Sequence, residues 1–434
     1  MAFLRSGRSL LLLAYTFLAL GLLWSNGLYH PVALLLVTAG FAALLGAWKA
    51  AFSDPDDDRP VGLAVACLVV LLLAQLPFAN AIYLQSLLYD RAVLWFTLAA
   101  AVAVALAYGT RRARWSAWRP RVFAAAFCGG LAVQWLIPWV SPEPFIDVYV
   151  MLQESARALL AGQDPYTATF FDIYGGQGIS KPITTYTYPP ANILLLTPFF
   201  ALLGDVRFGM LAANLITILL LWRFARCEDD AWAELLVLLF VFHPRAAFTI
   251  EQSWVDPLIL GVLSLALLLR EQRREGWSAA AYGVMLAMKQ YLVFFLPLWW
   301  LLERRPTYLL LGVLAGLLTV APFLVWHPGP AVHNGLLFHL SDAFRPDSLT
   351  LASFVYHATG MVAGRWLSGI AGIAFSAAAL WTCRALPKPL GFVLASAVTF
   401  FALFFLGSQG FCNYYMLASG VILLAVAAPR HDRA

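Results

Sequence analysis

Charged residues are scarce in this sequence. Asp, Glu, Lys and Arg make up 12% of its 434 residues, whereas hydrophobic residues make up 62%. Soluble domains contain about 25% charged residues, so this composition excludes a soluble globular protein. The net charge of +5 is spread over short basic segments, which gives no indication of a nucleic-acid partner. The composition predicts an all-α membrane protein that crosses the bilayer many times.

Cysteine is also scarce, and several familiar motifs are missing. The five cysteines are scattered with spacings that fit neither a metal site nor a disulfide framework, so small buried side chains are the simplest interpretation. The sequence has no Gly-rich phosphate loop and no H-E-x-x-H motif. Asp147 is not followed by a second acid in a D-x-D arrangement. We therefore expect neither a bound metal nor another cofactor.

Apolar runs make up most of what is present. A helix needs about 20 apolar residues to cross a bilayer, and fourteen runs approach that length. The first follows Arg5 and Arg8 and has no small-x-small cleavage site, which predicts a retained signal anchor. The predicted spans are residues 9–25, 31–50, 61–79, 91–109, 121–140, 207–225, 231–248, 254–270, 277–288, 290–303, 307–326, 362–382, 389–407 and 412–428.

The basic residues predict the orientation of these spans. Placing both termini in the cytoplasm puts most of the 28 Lys and Arg residues on the inner side, in agreement with the positive-inside rule. The apolar run 191–204 would invert every later loop if it were a span. It is short, follows Pro189-Pro190 and contains Pro198, so we predict an interfacial or re-entrant helix on the outer face.

One long segment, from Pro142 to Pro190, is too polar to cross a membrane. Loops of this length are usually functional or disordered, and its many aromatic residues argue against disorder. It belongs to a predicted outer loop, residues 141–206. The alternative to a functional site is that these residues are polar only because outer loops face water. The polar residues predicted on the outer face are Asp147, Asp164, Lys181, Glu251, Asp256, Lys289, His327, His339, Arg345 and Asn413.

Asp147 is the first candidate for chemistry. It follows the fifth predicted span and has apolar neighbours on both sides, where a charge loses hydration and is costly unless it is used or paired. A carboxylate near a wet interface stays ionised at neutral pH, as a general base must. The structural alternative is an acid that caps the helix after it.

Lys289 and three further cations are candidates for binding an anion. Lys289 lies in apolar sequence at a break between two short spans, so it should face an anion or a water-filled cavity unless its long stem reaches the interface. His327, His339 and Arg345 lie in another long outer loop. They would bind phosphate or remain ordinary surface residues.

Several short motifs together resemble glycosyltransferase family 87 of the GT-C superfamily. That family includes mannosyltransferases that use polyprenyl-phosphate mannose. The resemblance covers roughly Arg121 to the C-terminus. The motifs are F-I-D-V-Y at 145–149, A-R-A-L-L-A-G-Q-D-P-Y at 156–166, Y-P-P-A-N-I-L-L-L-T-P at 188–198, H-P-R at 243–245, E-Q-S-W-V-D-P-L at 251–258, M-K-Q-Y at 288–291, D-S-L-T at 347–350 and N-Y-Y at 413–415.

The resemblance implies a GT-C-like bundle of about fourteen transmembrane helices whose long outer loop contains interfacial helices. Residues 121–434 would form the catalytic core and residues 1–120 a four-helix N-terminal extension. Two departures are visible. The family often places its essential acid after its first span, whereas here four spans come earlier, and Gln-Ser-Trp-Val-Asp at 252–256 replaces a commoner G-Q-x-N-like stretch.

By resemblance, Asp147 corresponds to the essential aspartate and would deprotonate the acceptor hydroxyl for an inverting attack. Lys289, Arg345, His327, His339 and Lys181 are then the candidates for holding the donor phosphate. The candidates for lining the substrate site are Tyr149, Asp164, Tyr166, Tyr186, Tyr188, Glu251, Gln252, Asp256, Asn413 and Tyr414. The tyrosines among them would stack on a sugar, or would only occupy the membrane interface.

The implied activity is transfer of a sugar from a polyprenyl-phosphate donor to a lipid or glycan acceptor, and mannose is the favoured sugar. The reaction would occur on the extracytoplasmic face of the plasma membrane. The same fold would serve an arabinofuranose or glucose donor. A transporter or lipid flippase is the alternative from another class. Transporters typically show internal repeats with paired broken helices, and the sequence has one such break, near Lys289.

Overall fold

The computed structural model describes residues 6–52, 59–110, 113–176, 182–364 and 366–430. This part of the chain is all-helical apart from one isolated bridge between Leu28 and Ser348. The first ten helices are α1 Gly7–Ser25, α2 Pro31–Ala50, α3 Val61–Ala74, α4 Leu87–Gly109, α5 Ala113–Ser116, α6 Arg119–Trp135, α7 Ile137–Val140, α8 Asp147–Leu160, α9 Ala191–Leu203 and α10 Arg207–Arg226.

The second half of the described chain contains 3₁₀ and π helices among its α-helices. A 3₁₀ helix, Gln290–Leu301, follows α14, and a π turn and a second 3₁₀ turn, His333–Leu337 and Phe338–Ser341, follow α16. The α-helices are α11 Asp230–Val241, α12 Ala246–Glu251, α13 Asp256–Glu271, α14 Glu275–Leu286, α15 Pro306–Trp326, α16 Pro328–Val332, α17 Leu351–Thr359, α18 Trp366–Cys383, α19 Lys388–Phe405 and α20 Cys412–Ala427.

Seven helices of the described chain are long and apolar enough to cross a membrane, namely α1, α2, α4, α10, α15, α18 and α19. Four shorter apolar helices accompany them: α3, α9, the 3₁₀ helix and α20. Each of the fourteen predicted spans contains a helix, so the multi-pass helical bundle is confirmed. The count of fourteen crossings stays a prediction, since half of these helices fall short of that length and composition.

Prolines explain where helices depart from the predicted spans. The predicted span 121–140 is divided into α6 and α7 before Pro138, because proline cannot continue the hydrogen bonding of a preceding helix.

The predicted break near Lys289 is confirmed: Lys289 has extended backbone between α14 and the 3₁₀ helix. The run after Pro190 is a helix that ends at Gly204 with φ of 77°. Its interfacial position stays a prediction.

The interior of the bundle is built around α19 and α20. Nearly every residue of α19 is buried, whereas α15 is exposed along most of its length and lies at the periphery. Helices α14 and α15 approach closely through glycines. A Cβ at Gly283 would collide with the carbonyl oxygen of Gly312, as expected where small residues let helix backbones meet.

The N-terminal helices are fastened to the rest of the bundle. The Tyr15 hydroxyl in α1 donates to the carbonyl of Leu239 in α11, at 2.6 Å. Arg8 makes a two-point ion pair with Glu228. Contacts therefore cross the predicted boundary at residue 120, and the division into 1–120 and 121–434 stays a prediction.

Candidate active site

The entry to the outer loop is held by a buried arginine. Arg207, at the start of α10, pairs with Asp205 through two nitrogens and donates to the carbonyl of Ser141 at 2.7 Å. Its guanidinium also lies 4.8 Å from the centre of the Tyr149 ring. The Tyr149 hydroxyl donates to the carbonyl of Pro142 at 2.7 Å. These contacts fix the chain on both sides of Asp147.

Asp147 is the first residue of α8 and is half-buried. Its Oδ1 accepts the amide hydrogen of Val148 at 2.8 Å, so the predicted capping role is realised in part. Burial raises the pKa of Asp147 above its ordinary value of 3.8, against the opposing effects of amide hydrogen bonds and of nearby Arg345 and His339. No side chain of the described residues hydrogen-bonds to this carboxylate, which leaves it available to a substrate hydroxyl.

Aromatic side chains surround Asp147. Tyr174 meets Phe145 edge to face, with 5.6 Å between ring centres. Burial first, and then the nearby carboxylate of Asp147, raise the pKa of Tyr174 to about 12. Tyr83 from the α3–α4 loop and Tyr188 are also close enough to feel the charge of Asp147. The charge of Asp147 therefore acts on three tyrosine hydroxyls, Tyr83, Tyr174 and Tyr188.

A second cluster is centred on Asp256, the first residue of α13. Its side chain is fully buried and bonds to Lys289 Nζ at 2.9 Å, to the Tyr291 hydroxyl at 3.0 Å and to Asn413 Nδ2 at 3.0 Å. A buried charge needs such partners. The predicted residues Asp256, Lys289 and Asn413 are thus brought together from α13, from the break before the 3₁₀ helix and from α20.

Lys289 lies among three phenol rings. Its Nζ is 5.5 Å from the centre of Tyr188, 5.6 Å from Tyr291 and 5.0 Å from Tyr414. Cations within about 6 Å of an aromatic face are attracted to it. The lysine is buried, so its stem does not reach outward to the interface as the snorkelling alternative required.

A cavity of about 500 Å³ lies next to this cluster. Its lining combines the charged or polar side chains Lys289, His339 and Asp342 with apolar ones such as Phe294 and Leu403. Tyr188 and Tyr414, both predicted to line the substrate, also contribute. The cavity is therefore lined by both charged and apolar side chains.

The other predicted cations each have an acidic partner. His339 Nδ1 lies 2.8 Å from Asp342, and its ring is 5.7 Å from that of Tyr188. Arg345 forms a two-point pair with Asp347, at 2.6 and 2.7 Å. Arg345 and His339 both oppose the rise in the pKa of Asp147 that burial causes. Lys181 lies outside the described residues.

The pair Asp164 and His327 joins the outer loop to the end of α15. The buried carboxylate of Asp164 lies 2.8 Å from His327 Nδ1, and it also accepts the amide hydrogen of Tyr166. Half of the His327 side chain is exposed. His327 does not line the cavity that contains Lys289.

Four further predicted lining residues have structural partners. The Tyr166 hydroxyl donates to the carbonyl of Tyr188 at 2.7 Å, and the Tyr186 hydroxyl donates to that of Pro189 at 3.2 Å. Glu251 accepts two backbone amides from the α3–α4 loop, and Gln252 donates to Glu251 at 3.2 Å. These hydrogen bonds hold the four side chains in place, and their contact with substrate stays a prediction.

Sequence reasoning missed Tyr291, Tyr174 and Tyr83. Tyr291 directly follows Lys289-Gln290, and its proximity to a buried lysine was the available signal. Tyr83 lies in the N-terminal part of the chain, where nothing local marks it. In the described chain no group of three or more His, Cys, Asp or Glu is placed to hold a metal ion.

Comparison with known proteins identifies the family. Residues 186–430 match the model of glycosyltransferase family 87. The matched region includes Tyr188, Lys289 and Asn413 but begins after Asp147. No curated protein and no solved structure matches the chain. Because the match covers more than half of the sequence, the chain belongs to glycosyltransferase family 87 and is a multi-pass membrane glycosyltransferase.

Proposed function

We propose that this protein transfers mannose from a polyprenyl-phosphate donor to a hydroxyl group of a lipid or glycan acceptor, with inversion at the anomeric carbon. Asp147 is the general base. The observation that carries the proposal is the half-buried carboxylate of Asp147, which accepts the amide of Val148 and has no side-chain partner among the described residues.

The cavity suits a lipid phosphate. A polyprenyl phosphate has a long apolar chain and an anionic head, and the cavity lining offers apolar side chains together with Lys289 and His339. Transfer releases a phosphate monoester, which is stabilised by cations and hydrogen-bond donors more than by an acid. Gln290, Ser368 and Ser408 at the cavity add neutral donors.

Asp147 suits the acceptor side of the reaction. A base must be ionised and within reach of the proton that it removes. The carboxylate has one amide partner, at Val148, and no side-chain partner among the residues described. In a single displacement, the acceptor oxygen bonds to the anomeric carbon as the bond between sugar and phosphate breaks, which inverts the anomeric centre. Asp147 accepts the proton of the acceptor hydroxyl.

We also propose that the reaction takes place on the extracytoplasmic face of the plasma membrane, with both termini in the cytoplasm. The support is the excess of Lys and Arg in the loops on the opposite side. The donor phosphate and acceptor would then be reached from outside, where the loop carrying Asp147 lies.

The test is transfer by the purified protein in lipid vesicles. Radiolabelled polyprenyl-phosphate mannose is the donor, and a membrane extract from cells that lack the protein supplies the acceptor. We expect label in a glycolipid or glycan with the normal chain and none with Asp147→Asn. Movement of the donor across the vesicle membrane without transfer would contradict the proposal and favour a flippase.

A second measurement identifies the sugar and the acceptor. Mass spectrometry of membrane glycolipids and glycans is compared between cells with the active protein and cells with the Asp147→Asn variant. We expect one species to lose a hexose in the variant. Loss of a pentose would instead indicate an arabinofuranose donor on the same fold.

A further inference from the structure

The loop between α3 and α4 is held firmly against the core of the bundle. The carboxylate of Glu251, at the end of α12, is buried and accepts the amide hydrogens of Ile82 at 2.7 Å and Tyr83 at 2.8 Å. Hydrogen bonds to a charged acceptor are stronger than neutral ones. Two of them on neighbouring residues fix the backbone at Tyr83.

Two more contacts hold the rest of this loop. Arg245 donates to the carbonyl of Ala79 at 2.7 Å and, with its second terminal nitrogen, to that of Leu23 at 2.7 Å. The amide of Gln85 donates to the carbonyl of Val140 at 2.8 Å. Val140 ends α7 and precedes the segment that leads to Asp147. The loop is therefore hydrogen-bonded to the segment of the chain that leads to the proposed base.

Tyr83 lies where this loop meets the site. Its side chain is half-buried. Burial first, then the charges of Glu251 and Asp147, raise the pKa of its hydroxyl. Its hydroxyl has no hydrogen-bond partner among the described residues, unlike that of Tyr89, which donates to a backbone carbonyl. Tyr83 does not line the cavity that contains Lys289.

A residue on a loop that is hydrogen-bonded to the segment leading to the base, but outside the cavity that contains Lys289, is suited to the acceptor. The base removes a proton from the acceptor hydroxyl, so the acceptor must reach Asp147. A phenol offers a flat apolar face for a sugar ring or lipid head and a hydroxyl that donates and accepts hydrogen bonds. Tyr83 presents both features without an internal partner.

We propose that the α3–α4 loop forms the acceptor-binding wall of the active site, with Tyr83 in contact with the acceptor and Glu251 as its positioning residue. This inference rests on the proposed function. The N-terminal helices, which precede the region that matches the family model, then form part of the acceptor site.

The test compares saturation by the two substrates. Tyr83→Ala and Tyr83→Phe are assayed with radiolabelled polyprenyl-phosphate mannose and increasing amounts of the membrane extract. We expect Tyr83→Ala to raise the amount of extract needed for half-maximal rate about tenfold, with half-saturation by the donor unchanged. Tyr83→Phe keeps the ring, so its effect should be smaller. Leu87→Ala, an exposed change four residues later, should match the normal chain.

Glu251→Gln tests the positioning role. It should raise acceptor half-saturation and leave donor half-saturation unchanged, and adding Tyr83→Ala should cause little further loss because the two residues act through one contact. A general loss of stability would alter both substrates alike and would overturn that role.

The possible failures are distinguishable. If the normal chain transfers mannose and Asp147→Asn does not, while Tyr83→Ala leaves acceptor saturation unchanged, the acceptor wall is overturned and the proposed function stands. If the normal chain transfers no sugar from the labelled donor, the proposed function itself is contradicted.

Discussion

The chemistry proposed for this chain requires the carboxylate of Asp147 to be ionised in a half-buried position. Burial raises the pKa of Asp147, so the folded protein favours the neutral form more than the unfolded chain does. This residue therefore favours folding at low pH, and that contribution is lost as the pH rises through the raised pKa. At neutral pH the ionised carboxylate therefore costs stability, as expected for the proposed general base.

Asp147→Asn should separate activity from stability. Loss of the base should lower the rate about 10²–10⁴-fold, whereas the unfolding temperature at pH 7 should stay equal or rise, because a buried charge has been removed. Transfer assays and thermal unfolding in detergent measure the two effects. Glu143→Gln changes an exposed acid four residues earlier and should alter neither. A marked fall in unfolding temperature would point to a structural role for Asp147.

The pH dependence of transfer follows from the same residue. Only the ionised carboxylate accepts a proton, so kcat/KM should fall as the pH is lowered through the pKa of Asp147. Because burial raises that pKa, the midpoint of the acid limb should lie above the ordinary value of 3.8. A pH profile at constant ionic strength measures it, and a midpoint at or below that value would disagree.

Single residues were predictable where charge is costly. Asp147 and Lys289 stand out because each carries a charge in apolar sequence. The partners of Lys289 were not predictable, since Asp256 is 33 residues away along the chain and no local pattern links them. Tyr83 was missed because a tyrosine at a membrane interface is ordinary.

At the scale of elements, the ion pair of Lys289 and Asp256 joins the break before the 3₁₀ helix to the start of α13. Removing one partner of a buried pair leaves an uncompensated charge and costs about 3–5 kcal/mol, whereas removing both costs far less. Stability and activity can therefore be tested separately at this pair.

Lys289→Met should destabilise the protein, and the double variant Lys289→Met with Asp256→Asn should recover most of that stability. Transfer should stay low in the double variant, because the donor phosphate has lost a cation. Unfolding temperature and donor half-saturation measure the two effects. Arg226→Met, which breaks an exposed pair with Asp230, should change stability little. Restored transfer in the double variant would limit Lys289 to a structural role.

Helix positions followed from apolar runs, but helix types and ends did not follow fully. A run of twenty apolar residues predicts a helix whether or not it is interrupted, so the division before Pro138 and the 3₁₀ form of Gln290–Leu301 needed the structure. The π and 3₁₀ turns after α16 lie in a loop whose sequence has no clear periodicity.

For the whole molecule, the predicted orientation leads to a labelling experiment. In a variant with the exposed Cys128 and Cys227 changed to serine, a cysteine at Glu143 should react with a membrane-impermeant maleimide in intact cells. A cysteine at Arg304, exposed at the other predicted face, should react only after permeabilisation. The opposite pattern would place the site on the cytoplasmic side.

The relation of the N-terminal helices to the core was the least predictable feature. Arg245 and Glu251 hold them through backbone groups of Leu23, Ala79, Ile82 and Tyr83. Backbone groups are the same in every sequence, so such contacts leave no recognisable side-chain pattern. A division into extension and core, drawn from span order alone, did not reveal this connection.

The pairing of each cation near the site with a carboxylate has a consequence for substrate exchange. Lys289 and Arg345 already hold internal counterions, Asp256 and Asp347, and His339 is paired with Asp342. Under the proposed function, an incoming donor phosphate would have to share its partner with one of these acids or displace the acid, which would offset part of its attraction. When the lipid phosphate product departs, the carboxylate would take its place. Such an exchange would favour release of the product over its retention.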